Sequence, residues 1–215
     1  MKKHFLSLLL MAVLAGPTAS AQTVNNRSLN LYALAGVRLL SEKPFGYGEN
    51  VSPDFVPTLG AGVAWQFRKF RLGGEFSFSD GKKDTDEFGT ILTGISANLV
   101  AGYSFRLSQN TELQLQSGLG YTLNHLSVTD HAYQGNANLN TTIYHQVVYS
   151  IPVSAMIQRG FGNGTYLGIR AGYSFNVNPN QWRYIEGSTT EISVAGTDGV
   201  FIQVLFGGIF NLGTR

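Results

Sequence analysis

The sequence predicts an all-β protein, an eight-stranded antiparallel up-and-down transmembrane β-barrel. Three observations predict it. Apolar residues recur at every second position through one segment after another, the positions between them are polar or small, and the connections alternate between long and short. In a soluble sheet one apolar face would be the interior. Here the alternate face carries Arg, Glu, Gln, Asn, Ser and Gly throughout, so the polar side is the interior and the apolar side meets lipid.

The first strand runs from about Leu29 to Leu39, with Leu29, Leu31, Ala33, Ala35, Val37 and Leu39 outward and Asn30, Tyr32, Gly36 and Arg38 inward. A long connection, Ser41 to Pro57, precedes the second strand, Thr58 to Arg68. There Leu59, Ala61, Val63, Trp65 and Phe67 share one face. A tight turn at Arg68-Lys69-Phe70 leads into the third strand, where Leu72, Phe76 and Phe78 oppose Arg71, Glu75, Ser77 and Ser79. Asp80 to Thr90 is the next long connection.

Strand four, Ile91 to Leu107, turns Ile95, Ala97, Leu99, Ala101, Tyr103 and Phe105 outward and Gly94, Ser96, Asn98, Gly102, Ser104 and Arg106 inward. After the short turn Ser108 to Thr111, strand five sets Leu113, Leu115, Leu119, Tyr121 and Leu123 against Glu112, Gln114, Gln116, Gly118, Gly120, Thr122 and Asn124. A long loop from Thr129 to Thr142 follows. Strand six, Ile143 to Ile157, contains Pro152, which has no N–H for a sheet ladder and marks a bulge or an unpaired position. A short turn, Gly160 to Gly164, gives way to strand seven, with Leu167, Ile169, Ala171, Tyr173 and Phe175 outward against Arg170 and Asn176. The longest loop, Asn178 to Gly199, leads to strand eight, with Val200, Ile202, Val204, Phe206 and Phe210 outward.

Long and short connections in strict alternation match short periplasmic turns and longer extracellular loops, and an even strand count puts both ends of the barrel in the periplasm. Eight strands enclose a lumen filled by side chains, which makes a poor general pore. The pentapeptide Ala-Gly-Tyr-Ser-Phe occurs at 101–105, before a short turn, and at 171–175, approaching a long loop. The two copies place aromatic residues near opposite membrane interfaces.

The composition agrees. Of 215 residues, 26 are glycine and only 13% are charged, about half the share usual in soluble domains. With no cysteine there is neither a disulfide framework nor a thiolate metal site. Met1-Lys2-Lys3, the apolar run Phe5 to Ala15 and Thr18-Ala19-Ser20-Ala21 describe an export signal cleaved after Ala21. The apolar run falls short of the roughly 20 residues that span a bilayer as helix. Two regions result, a signal peptide over 1–21 and the barrel over 22–215. Removing Lys2 and Lys3 takes the 15 basic residues to 13, equal to the 13 acidic ones. No basic patch interleaved with aromatics points to nucleic acid.

With its dyad strands, Ala19-Ser20-Ala21, Ile151-Pro152-Val153 and the Gly-x-Gly-Tyr run at 118–121, the chain resembles the outer-membrane β-barrel domain family of Gram-negative bacteria. It looks most like the small porin-like members common in the Bacteroidetes. The resemblance implies a monomer in the outer membrane, with lipid, lipopolysaccharide and the barrel-insertion machinery as partners. It implies no cofactor. The chain departs from the family at its end, where Phe210 is followed by Asn211-Leu212-Gly213-Thr214-Arg215 rather than a closing aromatic. No peptidoglycan-binding domain follows the barrel in the sequence.

Three sets of residues are candidates for function. Inside the barrel, Arg38, Arg71, Arg106 and Arg170 face Glu75 and Glu112, and a narrow lumen demands that such charges pair. An excess of arginine there would alternatively favour a small anion-selective leak. In or beside the long loops, Glu42, Glu49, Asp54, Asp80, Asp84, Asp86, Glu87, Asp130, Glu186, Glu191 and Asp198 outnumber Lys43, Lys82, Lys83 and Arg183. These acids are either the ordinary charge of exposed loops or ligands for divalent cations beside lipopolysaccharide phosphates.

Third, His125-x-Ser127, with His145 across the hairpin, lies on the lipid-facing side of strand five and is similar to the site of lipid A deacylase barrels. Hydrolysis there needs an acid to orient the histidine, and only Asp130 is near. Interfacial polar side chains are the alternative. The expected role is therefore structural or interactive, stabilising the envelope and presenting loops to an extracellular ligand. A narrow porin is second and a lipid A esterase third.

Overall fold

The computed structural model describes residues 27–40, 53–86, 88–131, 141–162, 164–178, 181–184, 192–193 and 198–212. The export signal over 1–21, the loop acids Glu42, Glu49, Glu87, Glu186 and Glu191, and the last three residues lie outside them. The strands are β1 (Arg27–Leu40), β2 (Phe55–Phe67), β3 (Phe70–Asp84), β4 (Phe88–Arg106), β5 (Thr111–Asp130), β6 (Thr141–Gly160), β7 (Thr165–Asn176), β8 (Gln181–Tyr184), β9 (Ile192–Ser193) and β10 (Gly199–Asn211). Eight of them, β1 to β7 and β10, pair antiparallel with their chain neighbours, and β10 pairs back onto β1 to close the barrel. β8 and β9 fall within the stretch expected as one long loop, where β8 extends the edge of β6 through Tyr144 and His145.

The register fixes the tilt. Residue pairs carry Ser28 of β1 through Gln66, Arg71, Gly102, Gln116, Ser154, Gly172 and Phe201 back to Arg38, ten residues further along the same strand. For eight strands that stagger corresponds to strands inclined by roughly 40°. The short connections gather at one end, where Leu212 donates to the Arg27 carbonyl and Ile209 to that of Gly164. Both ends of the barrel therefore lie with the short turns. In the tightest turn Arg68 takes a positive φ of 53°, a left-handed conformation that the two-residue connection between β2 and β3 imposes.

The outer wall is apolar and unshielded by protein. Leu59 and Phe70 are each 64% exposed, and Leu72, Phe76, Leu99, Leu119 and Phe206 are similar. Such a continuous exposed surface has no place in water and is the natural face toward lipid. At the short-turn end Phe70, Tyr103 and Phe105 stack edge to face, with Lys69 6.0 Å from the Tyr103 ring, while Arg27 and Arg68 both lie over Phe67. This is an aromatic girdle with a basic collar. Tyr173 and Phe175, the second copy of the pentapeptide, pair at 4.6 Å toward the opposite end.

Pro152 interrupts the wall without shifting it. Ser117 pairs with Val153 and Gly120 with Ser150, while Gly118 and Leu119 make no ladder pairing with Ile151 and Pro152 between them. The register is the same on both sides, so this is a gap and not a bulge. On its other side Pro152 faces Ser174 of β7.

The strands differ in length. β4, β5 and β6 have 19, 20 and 20 residues against 14, 13 and 12 in β1, β2 and β7, so their long-loop ends project beyond the rest of the barrel. On this projecting part the inward face is apolar. Leu126, Val128, Leu92, Tyr144 and Val56 form a buried cluster, with Leu40 and Phe88 packed against it. The alternation in the sequence predicts a lumen that is polar throughout, yet a second buried cluster, Tyr32, Leu34, Ala64, Met156, Tyr166 and Leu205, with Ile209 beside it, lies nearer the short-turn end.

Candidate functional site

Between the two apolar clusters the lumen is polar, and Arg170 is its centre. The β7 strand delivers Arg170 directly opposite Gln203 of β10, and its Nε donates to Gln203 Oε1 at 2.9 Å. Across the lumen Nη1 and Nη2 donate to the two carboxylate oxygens of Glu75 at 2.6 and 2.9 Å. Both side chains are almost fully buried, at 5% exposure each. The two residues are 95 apart in sequence and meet because the stagger brings β3 and β7 face to face. A guanidinium fork matched to both oxygens of a carboxylate is the strongest pairing geometry arginine offers.

Neighbouring groups extend this pair into a belt. Tyr32 donates its hydroxyl to Glu75 Oε1 at 2.7 Å. Arg170 also donates to Gln116 Oε1, whose amide nitrogen donates to Gln114 Oε1 at 2.9 Å. Arg71 donates to that same Gln114 oxygen at 2.9 Å, and its guanidinium lies 5.0 Å from the Tyr32 ring. Two glycines make room for the rings. A Cβ on Gly62 would clash with the Tyr32 ring, and one on Gly207 would meet the Tyr166 ring at 2.8 Å.

Of the six charged residues expected inside, Arg71, Glu75 and Arg170 are brought into this belt. Arg106 and Glu112 face each other in register near the short-turn end. There Arg106 is exposed and donates to the Gln109 carbonyl, while Glu112 accepts from Gln158. No ion pair joins them, because the last turn of the barrel opens to solvent. Arg38 makes no hydrogen bond or ion pair with any described residue. It lines a cavity of about 40 Å³ in mid-lumen, together with Glu75, Arg170, Gln203, Asn98 and several serines.

His125 and Ser127 lie on the outer face of β5, and His145 stands directly across from His125. His125 is flanked on β4 by Thr93, and Ser127 by Ile91 and Ile143. No hydrogen bond links His125 to Ser127, and no carboxylate faces either one from the paired strands. Two of the described loop acids have other partners: Asp198 accepts the Asn176 N–H at 2.6 Å, and Asp84 sits 3.7 Å from His131 at the rim. Among the described residues no three metal-ligating side chains converge.

Neither the apolar lumen clusters nor the belt was fully legible in sequence. Leu126, Val128 and Tyr144 do continue the alternation but put apolar side chains on the inward parity, with His125, Ser127 and His145 outward. That reversal is the sequence signal for the apolar filling there.

No protein-family model matches the sequence, and no curated protein does. Solved structures match in fold. A major outer membrane protein from Thermus thermophilus is 12% identical over 86% of this chain and 99% of that one, with a TM-score of 0.55. Ail, the attachment invasion locus protein of Yersinia pestis, is 14% identical over 87% and 100%, with a TM-score of 0.50. More remotely, the outer membrane enzyme PagL is 15% identical over 83% and 97%, with a TM-score of 0.34. The chain thus has the fold of the small eight-stranded outer-membrane β-barrels. Its exposed apolar wall is the face an integral barrel of that fold turns to lipid.

Proposed function

We propose that this chain, exported by its first 21 residues, is a non-conducting barrel of the outer membrane that acts as an envelope scaffold and presents its projecting sheet outward. The observation that carries this reading is the closed lumen. A belt anchored by the Arg170–Glu75 pair separates two buried apolar clusters, and the space between them is about 40 Å³. That is room for a few waters and not for solute flow. Breaking the pair to open a path would expose two desolvated charges, which costs several kcal/mol.

Lipid and lipopolysaccharide are its immediate partners, and a shallow outer depression over Ala61, Gly74 and Ala97 beside Tyr121 suits an acyl chain. The barrel-insertion machinery is the partner during assembly. The projecting ends of β4 to β6, whose outer face shows Ile91 and Ile143 beside polar residues, are the surface offered to an extracellular ligand. The barrel acts as a monomer, and Ser127 is not its nucleophile, since among the described residues it has neither a hydrogen-bonded base nor an oriented acid around it.

Planar-bilayer recording of the refolded protein tests the proposal. Silence at two salt concentrations is expected from a barrel shown to be folded. Reproducible steps altered by Arg38→Gln would instead establish the narrow porin. Lipid A from cells carrying Ser127→Ala should match that from the parent, and loss of a deacylated form would restore the esterase.

A further inference from the structure

The middle of the lumen holds three guanidinium groups, Arg38, Arg71 and Arg170, against one carboxylate, Glu75, among the described residues. Glu75 is committed to Arg170 through both oxygens. Arg71 is stacked on Tyr32 and bound to Gln114. Arg38 alone is left with its charge in the cavity and no partner among the described residues. Its side chain is partly buried, and a partly desolvated cation with no counter-charge is stabilised by an anion beside it.

Apart from the Glu75–Arg170 pair and the apolar Leu34, Val100, Pro152 and Phe201, the rest of the cavity is lined by hydroxyl and amide side chains. Ser77, Ser150 and Ser174 are buried, and with Ser154 and Asn98 they line the same space. None of these side chains hydrogen-bonds to another described residue. Hydroxyl and amide N–H groups around one guanidinium form a neutral-to-positive shell with no second carboxylate to repel an anion. At about 40 Å³ the cavity takes a monatomic anion with a water or two, and excludes a large organic anion. We propose that this cavity is a binding site for a small halide anion, chloride in the cell, held by Arg38 and the surrounding serine hydroxyls. The ion neutralises the lumen and locks it shut. It is a structural ligand, distinct from any flow of anions.

The test uses the refolded protein in micelles, with its thermal midpoint followed in sodium chloride or bromide and in sodium gluconate at equal ionic strength. The parent protein should gain stability saturably with chloride or bromide and not with gluconate. Arg38→Gln should lose that dependence or shift its half-saturation at least tenfold, whereas Arg38→Lys should retain part of it. A bromide-soaked crystal of the parent should show an anomalous peak beside the Arg38 guanidinium, which decides the matter even where Arg38→Gln does not fold. Equal midpoints in halide and gluconate, an undiminished halide effect in Arg38→Gln, or a loop carboxylate occupying the site in the crystal would each overturn the proposal.

Discussion

Replacing Glu75 by glutamine removes one charge while keeping size and an oxygen that can accept from Tyr32. It leaves Arg170 buried with only neutral amide oxygens as acceptors, the one kept at position 75 and those of Gln203 and Gln116. Removing one member of a buried pair typically costs about 3–5 kcal/mol, because the remaining charge stays desolvated. The upper end applies here, since both side chains are 95% shielded and no other carboxylate of the described residues pairs with Arg170. Urea unfolding of the refolded barrel, followed by the fluorescence of the two tryptophans, Trp65 of the outer wall and Trp182, should show that loss as a lower midpoint with unchanged slope. Arg170→Met combined with Glu75→Leu removes both charges, and by the same reasoning costs less than Glu75→Gln alone. A loss under about 1 kcal/mol for Glu75→Gln, in the range of an exposed pair, would refute the view that this contact is dry and holds the lumen closed. So would a double replacement costing more than the single one.

Two further perturbations separate the wall from its filling. Leu126→Ala leaves a cavity in the cluster at the projecting end, where Leu126 is fully buried, and should cost about 2–5 kcal/mol by the same unfolding measurement. Pro152→Ala restores an N–H opposite Gly118 and Leu119, so hydrogen exchange should reveal a newly protected amide at 152 with stability altered by less than about 1 kcal/mol.

The strands were legible because lipid imposes one unambiguous face. Leu59, Val63 and Phe76 have to be apolar at every second position, and the period survives any variation in the lumen. The ends were less legible for the same reason. Beyond Asn124 in β5 the same parity continues, but His125 and Ser127 stand on the outer face while Leu126 and Val128 face in. Likewise β3 runs on through Asp80 and Lys82 to Asp84, where charge on the outer face resembles a loop. Composition changes at the membrane boundary while the backbone does not.

The charge pairing was hidden at a different level. Six inward charged residues could be named from parity alone, but which of them meet depends on the stagger of ten residues, a property of the closed barrel and not of any segment. That stagger brings Glu75 to Arg170 across the lumen and leaves Arg38 without an ion pair in the same cavity, beside the serines. It also explains why Arg106 and Glu112, neighbours in register, form no pair: near the open end each is exposed or partly exposed and hydrogen-bonded to a neutral group, Gln109 or Gln158, so little drives them together. Pairing in this lumen therefore follows desolvation more closely than proximity along the ladder. An unpaired arginine in its enclosed middle calls for a counter-ion, whereas an unpaired one at its mouth does not.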